Sequence, residues 1–293
     1  VGDIDRLLQT ATHIAAGIDI NNLGPLHIAV GAKHGNMCGA SVGDDVSLVT
    51  EQMLDGNSTS IFGGAVLING PVDQKLANIL MKHNVVTGKR LLDVVVGSSF
   101  DKQALDTLIR REEGKLRVLS NPHLASLGSE SIDSSPRFRY VRGGFQVQQN
   151  YTFVPDFGSE LWGSHNEKPE SRQGIDIILA WAVGSTSTSN TITIVRDGML
   201  LGSGVGQQDR VGAAKLAVSR AREAGHSIEG ATAYSDSFFP FKDGAQVLIN
   251  AGVNTIFTSS GSVRDPEVFA TIKSAGVNLY TLPDKICRGF YGH

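Results

Sequence analysis

Along the chain, short apolar runs of strand length alternate with stretches whose apolar residues recur every three or four positions. Ile4, Leu7, Leu8, Ala11, Ile14 and Ala15 fall at helical spacing, and Asp3 before them suits an N-cap. Residues 26–30 read as a strand, and 61–68 as a second, with Gly63 and Gly64 inside it. Val72, Leu76, Ile79 and Leu80 mark a helix, residues 92–96 a strand, Phe100 to Ile109 another helix, and 116–119 a strand. This alternation predicts an α/β sandwich with mixed or parallel strands.

Periodicity lapses between residues 120 and 174, where Ser, Gly, Pro and Asn cluster around one β-like run at 140–148. The rhythm then restarts with a buried helix at 175–183. Strands at 191–195 and 199–201 flank Arg196-Asp197-Gly198, a hairpin turn signal. Helices at 211–224, 245–251 and 266–275 follow, the last capped by Asp265, with strands at 231–234, 255–257 and 278–282 between and after them. The expected organisation is a first subdomain at 1–125, a linker and crossing segment at 126–174, and a second subdomain at 175–293. The halves share a rhythm but no residue-level repeat.

Composition narrows the class. At 41% apolar over 293 residues the chain can bury a large core, and a net charge of -3 speaks against a nucleic-acid partner. No apolar run is long enough for a bilayer, and residues 1–5 show no basic leader, so a cytoplasmic protein with no membrane partner is expected. The first residue is Val1, as in a processed chain or part of a longer one. Cys38 and Cys287 are the two cysteines. Without His-x-Glu and Pro-Cys-x-x-Cys they do not make a zinc deaminase, and no catalytic metal is expected.

Three segments carry candidate chemistry. Ala32-Lys33-His34-Gly35-Asn36-Met37-Cys38-Gly39 follows a strand, where α/β sheets place ligands; Lys33 and His34 could supply a charge and a proton carrier, or be an ordinary surface lysine and a loop histidine. Tyr234-Ser235-Asp236-Ser237-Phe238-Phe239-Pro240-Phe241 sets a carboxylate beside an aromatic wall able to hold a flat heterocycle, or is core aromatics behind a capping Asp236. Ser189-Asn190 precedes a strand, and Gly202-Ser203-Gly204-Val205-Gly206-Gln207-Gln208-Asp209-Arg210 follows one; its glycines permit close approach of backbone to ligand, or form a plain β-to-α connection.

Taken in order, these segments resemble the formyltransferase domain of the bifunctional purine-biosynthesis family that joins AICAR transformylase to IMP cyclohydrolase. Lys33-His34-Gly35-Asn36-Met37-Cys38-Gly39 is similar to that family's Lys-His-x-Asn-Pro-Cys-Gly, and Ser58 to Gly64 to its Ser-x-Phe-Gly-Gly strand. Ser189-Asn190, Gly204 to Arg210, Ser235 to Phe241, Gly261 to Asp265 and the tail Arg288 to His293 resemble its further motifs, so the likeness runs from about Gly2 to His293. It implies two cytidine-deaminase-like α/β/α subdomains related by pseudo-symmetry, without zinc. It further implies a homodimer with sites shared between subunits, and formyl transfer from 10-formyltetrahydrofolate to an amine.

Residue by residue, the resemblance makes His34 the proton carrier, Lys33 the electrostatic stabiliser or the proton donor to the leaving group, Asn190 the oxyanion donor, and Asp236 the group that orients an amine, His34 or the folate ring. Arg288 is matched to a phosphate. Asn36, Gly63, Gly64, Gly206, Gln207, Phe238 and Phe239 fall to substrate binding. The sequence departs from the family pattern at several places, among them one extra residue in the tail after Arg288. The family's nucleotide-binding Arg-Tyr-Gly-x-Asn-Pro-His-Gln segment and its cyclohydrolase domain are not among these residues, Met37 replaces a Pro, and Asp209 stands where a small hydroxyl residue is common. A formyltransferase for another small amine or sugar amine therefore stays open. So does a non-catalytic folate- or nucleotide-binding relative.

Overall fold

The computed structural model describes residues 2–109, 116–164 and 168–288. In the first half, α1 (Gly2–Ile20) leads into the hairpin β1 (His27–Lys33) and β2 (Asn36–Gly43). Then come α2 (Val46–Gly56), β3 (Gly64–Ile68), β4 (Pro71–Val72), α3 (Gln74–Lys82), β5 (Leu92–Gly97), β6 (Ser99–Phe100), α4 (Lys102–Leu108) and β7 (Arg117–Ser120). A separate hairpin, β8 (Arg137–Val141) with β9 (Gly144–Gln148), and β10 (Gly163–Ser164) lie in the connecting stretch. In the second half, α5 (Ser171–Ser185) leads into β11 (Ile192–Arg196) and β12 (Met199–Gly204). Then come α6 (Arg210–Glu223), β13 (Thr232–Ser235), α7 (Lys242–Asn250), β14 (Thr255–Ser260), α8 (Asp265–Ser274), β15 (Asn278–Pro283) and α9 (Asp284–Cys287).

Eleven strands form one sheet in the order β10-β15-β14-β13-β11-β12-β2-β1-β3-β5-β7. Outward from its middle each half reads alike: an antiparallel hairpin, an antiparallel neighbour, then two parallel strands. The halves meet where β12 pairs antiparallel with β2, Met199 opposite Ser41. Alternate strand residues feed opposite faces, as the pleat requires. Ile28, Val30, Leu67 and Ile177 to Val183 share one core under α1 and α5. On the other face Val66 and Val95 pack under α2, α3 and α4, and Ile194 and Ile256 under α6, α7 and α8.

Several sequence expectations need correction. Asp3 is no N-cap, because α1 already contains Gly2; its carboxylate reaches Gly35 instead. Asp73 and Asp101 cap α3 and α4, which leaves Val72 and Phe100 in short strands. The run at 140–148 is the exposed β8–β9 hairpin, and Gly63 precedes β3 rather than lying within it. The loop expected after β1 is the hairpin into β2, and α2 follows it. Asp265 is the first residue of α8 and not its cap.

Two buried titratable groups give the fold a pH signature. Burial between α1 and α5 pushes the His13 imidazole down to about 4, and burial pushes the Asp176 carboxyl up to about 6. As pH falls from 6.5 toward 4, the unfolded chain protonates its histidine while folded His13 stays neutral, so stability is lost. As pH falls from 6 toward 3.8, folded Asp176 takes up a proton before the unfolded chain does, so stability is regained. The two effects oppose each other between pH 6 and 4. Asp176→Asn should therefore steepen acid destabilisation relative to the parent by an amount on the order of 2 kcal/mol. Urea melts between pH 7 and 4.5 measure this, and parallel curves for the two proteins would refute it.

Candidate functional site

The tip of the β1–β2 hairpin carries the first candidate residues. His34 and Gly35 take φ of 55° and 75°, the pair of positive values that a tight two-residue turn demands. The second hairpin turns identically at Asp197 and Gly198, with φ of 55° and 71°. The turn leaves His34 exposed and Lys33 half-buried. Lys33 Nζ donates to the Phe62 carbonyl at 2.5 Å, and Gly63 lies directly beneath it, where a Cβ would sit 3.9 Å from the amine. Asn36 donates its amide to the His34 carbonyl at 3.1 Å. Gly64 starts β3 with Ala32 so near that a Cβ would crowd its carbonyl. The first two motifs therefore meet.

Lys33, His34 and Asn36 open onto a cavity of about 720 Å³, whose other walls come from residues 56–60, β12 and the C-terminal end of α6. Cys38 also lines it, but burial pushes its thiol up to about 12, so it is no nucleophile near neutral pH. Gly39-Ala40-Ser41-Val42-Gly43 spells Gly-x-Ser-x-Gly, so the expectation that the chain holds no such pentapeptide is wrong. The serine is fully buried within β2, its hydroxyl within hydrogen-bond reach of Gln52 Oε1 at 2.7 Å and the Gly198 carbonyl at 2.8 Å, so no nucleophile elbow forms.

A second cluster gathers at the start of β11 and the end of β13. Asn190 and Gln207 bond reciprocally through their backbones, and the Asn190 side-chain amide also donates to the Gln207 carbonyl at 2.8 Å. Gly206, at φ 69°, donates to Thr188. Asp236 is buried; its Oδ1 accepts from Thr191 N at 3.1 Å and from Arg210 Nη1 at 2.5 Å. Arg288 pairs with Asp284 at 3.5 Å, and Asp284 accepts from Ser237 and Ser259. Asp209 caps α6 by accepting from Gly212 N, a task that a small hydroxyl residue performs equally well.

The structure thus brings Lys33, His34, Asn36, Gly63 and Gly64 into one group, and Asn190, Gly206, Gln207, Asp236 and Arg288 into another. The first group's cavity is not lined by the second group's named residues. Asp236 does not open to solvent, and Phe239 is 1% exposed within the second half's core; Phe238 is half-buried. The tail motif beyond Arg288 lies outside the described residues. Asp284 and Arg210 complete the second cluster. Arg210 closes a motif already quoted, whereas Asp284 has no local signal. Among the described residues no group of three or more His, Cys, Asp or Glu stands ready to hold a metal ion.

Residues 8–220 match the family model described as AICARFT/IMPCHase bienzyme. The chain belongs to this family. It is 34% identical over 251 residues to the bifunctional purine biosynthesis protein PurH of Anoxybacillus flavithermus, covering 86% of this chain and 46% of that protein. The PurH of Parasynechococcus marenigrum is 34% identical over 280 residues, 94% of this chain and 50% of its own. The chain spans about half the length of these relatives. Among solved structures, Acinetobacter baumannii RibD superposes on 38% of this chain and 36% of its own, at 22% identity and a TM-score of 0.27, too loose a likeness to carry an argument. No helix among the described residues is long and apolar enough to cross a membrane.

Proposed function

We propose that this AICARFT/IMPCHase family member transfers a formyl group from 10-formyltetrahydrofolate to an amine, with AICAR the acceptor its family favours and purine biosynthesis its context. The observation that carries the reading is the hairpin tip. It sets a histidine and a lysine side by side at the mouth of a 720 Å³ cavity, with the lysine amine held over Gly63. The acceptor nitrogen attacks the formyl carbon, and His34 takes the proton that this nitrogen sheds. Lys33 stabilises the tetrahedral adduct. The bond to the folate nitrogen then breaks, and that nitrogen leaves with the proton carried by His34. Asn190 keeps one amide hydrogen beyond its bond to Gln207 and donates it to the oxyanion. Asp236, buried on Arg210, orients the Asn190–Thr191 segment from behind. Arg288 pairs with an acceptor phosphate, and Phe238 walls a ring. These roles use protein groups alone and call for no metal.

We read the two halves as cytidine-deaminase-like subdomains related by a pseudo-twofold between β2 and β12, a reading supported by their matching strand orders. Because the cavity at the Lys33–His34 tip is not lined by Asn190, Gln207, Asp236 or Arg288 of the same chain, we assign the complete site to a homodimer, with Asn190 of the partner subunit facing Lys33. We place the protein in the cytoplasm. Lys33→Met and Asn190→Ala, each inactive alone, should regain about a quarter of parental turnover when dissociated and mixed, because half the dimers then hold one intact site of two. No recovery in mixed dimers would contradict a shared site. Turnover of 10-formyltetrahydrofolate with a panel of amines and amino sugars including AICAR tests the reaction itself. AICAR is expected to be consumed fastest, and a preferred amino sugar would favour the other acceptor class.

A further inference from the structure

Each half of the fold opens with a helix that sends a carboxylate to the tip of its own hairpin. In the second half Asp176, on α5, accepts from Asp197 N at 3.1 Å and from Gly198 N at 2.7 Å. In the first half Asp3, on α1, accepts from Gly35 N at 2.5 Å. The second tip is filled by Asp-Gly, a pair such turns favour, and its geometry is largely intrinsic. The first tip carries His34 where Asn, Asp or Gly would be the stable choice, so its geometry depends more on what holds it. Asp3 also shares a recess with His34, Arg6 and Arg137.

We propose that Asp3 is the positioning residue for His34: its carboxylate fixes the Gly35 amide and thereby aims the histidine at the cavity. This rests on the reading of His34 as proton carrier. A charge-assisted bond to a backbone N–H is strong and short, and it acts one residue from the imidazole. Asp3 itself touches no reacting atom. Asp3→Ala frees the turn, whereas Asp3→Asn keeps an acceptor oxygen in place.

Two readouts on the full chain test this. Gly35 amide hydrogen exchange, followed by NMR, should accelerate at least about tenfold in Asp3→Ala and return near the parental rate in Asp3→Asn. In formyl transfer, kcat should fall about 10- to 100-fold in Asp3→Ala, with KM for the folate donor within about threefold, and Asp3→Asn should recover most of it. Asp176→Asn, at the other hairpin, should leave kcat within about twofold. Unchanged Gly35 exchange, a parental kcat in Asp3→Ala, or a folded Asp3→Asn as slow as Asp3→Ala overturns the proposal. A parental chain that transfers no formyl group instead overturns the assigned reaction, while Gly35 exchange still decides whether Asp3 holds the turn.

Discussion

His34→Ala is expected to lower kcat by about 10²–10⁴ while the fold stays intact, the usual share of a positioned acid–base group. The side chain is exposed on a hairpin tip, so its removal leaves no cavity and should move the melting temperature little. The neighbouring Met37 is different: it is 3% exposed and belongs to the core under α1 and α5. KM for the donor should change far less than kcat, the pattern expected of a proton carrier that does not hold the bound ground state. Single-turnover kinetics and folate titration on one preparation separate these. A parental rate in His34→Ala would remove His34 from the mechanism, and a collapse in thermal stability would mark it as structural.

Breaking the Arg210–Asp236 pair is expected to cost about 3–5 kcal/mol of stability, the largest single-residue effect anticipated in this fold. Both side chains are taken from water, Asp236 at 1% and Arg210 at 8% exposure. Asp236 Oδ2 has no hydrogen-bond partner among the described residues, so the carboxylate relies heavily on the guanidinium. Arg210→Met therefore strands a buried anion, and Asp236→Leu strands a buried cation. The double variant should recover much of the loss, because an apolar pair of similar volume carries no uncompensated charge. Chemical denaturation of the two single variants and the double variant measures the coupling. A single variant within about 1 kcal/mol of the parent, or additive losses in the double, would contradict the account.

The fold was largely legible because both halves alternate cleanly, and failures fall where local signals are weak. Asp197-Gly198 announces its turn, whereas His34-Gly35 lacks the favoured residue and reads as a loop. β2 was hidden by Gly39 and Gly43, residues poor in strands. Gly39 is there because any Cβ would run into the Met53 carbonyl of α2, a tertiary reason that no local pattern displays. The site was legible as motifs but not as geometry. Lys33 and Gly63 lie in separate motifs of the sequence, and the structure supplies the contact between them. Sequence could not foresee that Asp236 turns inward onto Arg210, because that bond joins residues 26 apart through the β11–β13 pairing. The aromatic run split for a similar reason: Phe239 entered the core while Phe241 stayed exposed under Arg264.

We assign formyl transfer to the Lys33–His34 tip. The most direct test of this assignment is a single-turnover reaction of the parental chain and His34→Ala with 10-formyltetrahydrofolate labelled with ¹³C in the formyl group and with AICAR, the label being followed by NMR. The account predicts that the label moves onto the AICAR amine in the parent at a rate at least about 10² above that of His34→Ala. Label that stays on the folate in the parent, or that moves equally fast in both proteins, would contradict it.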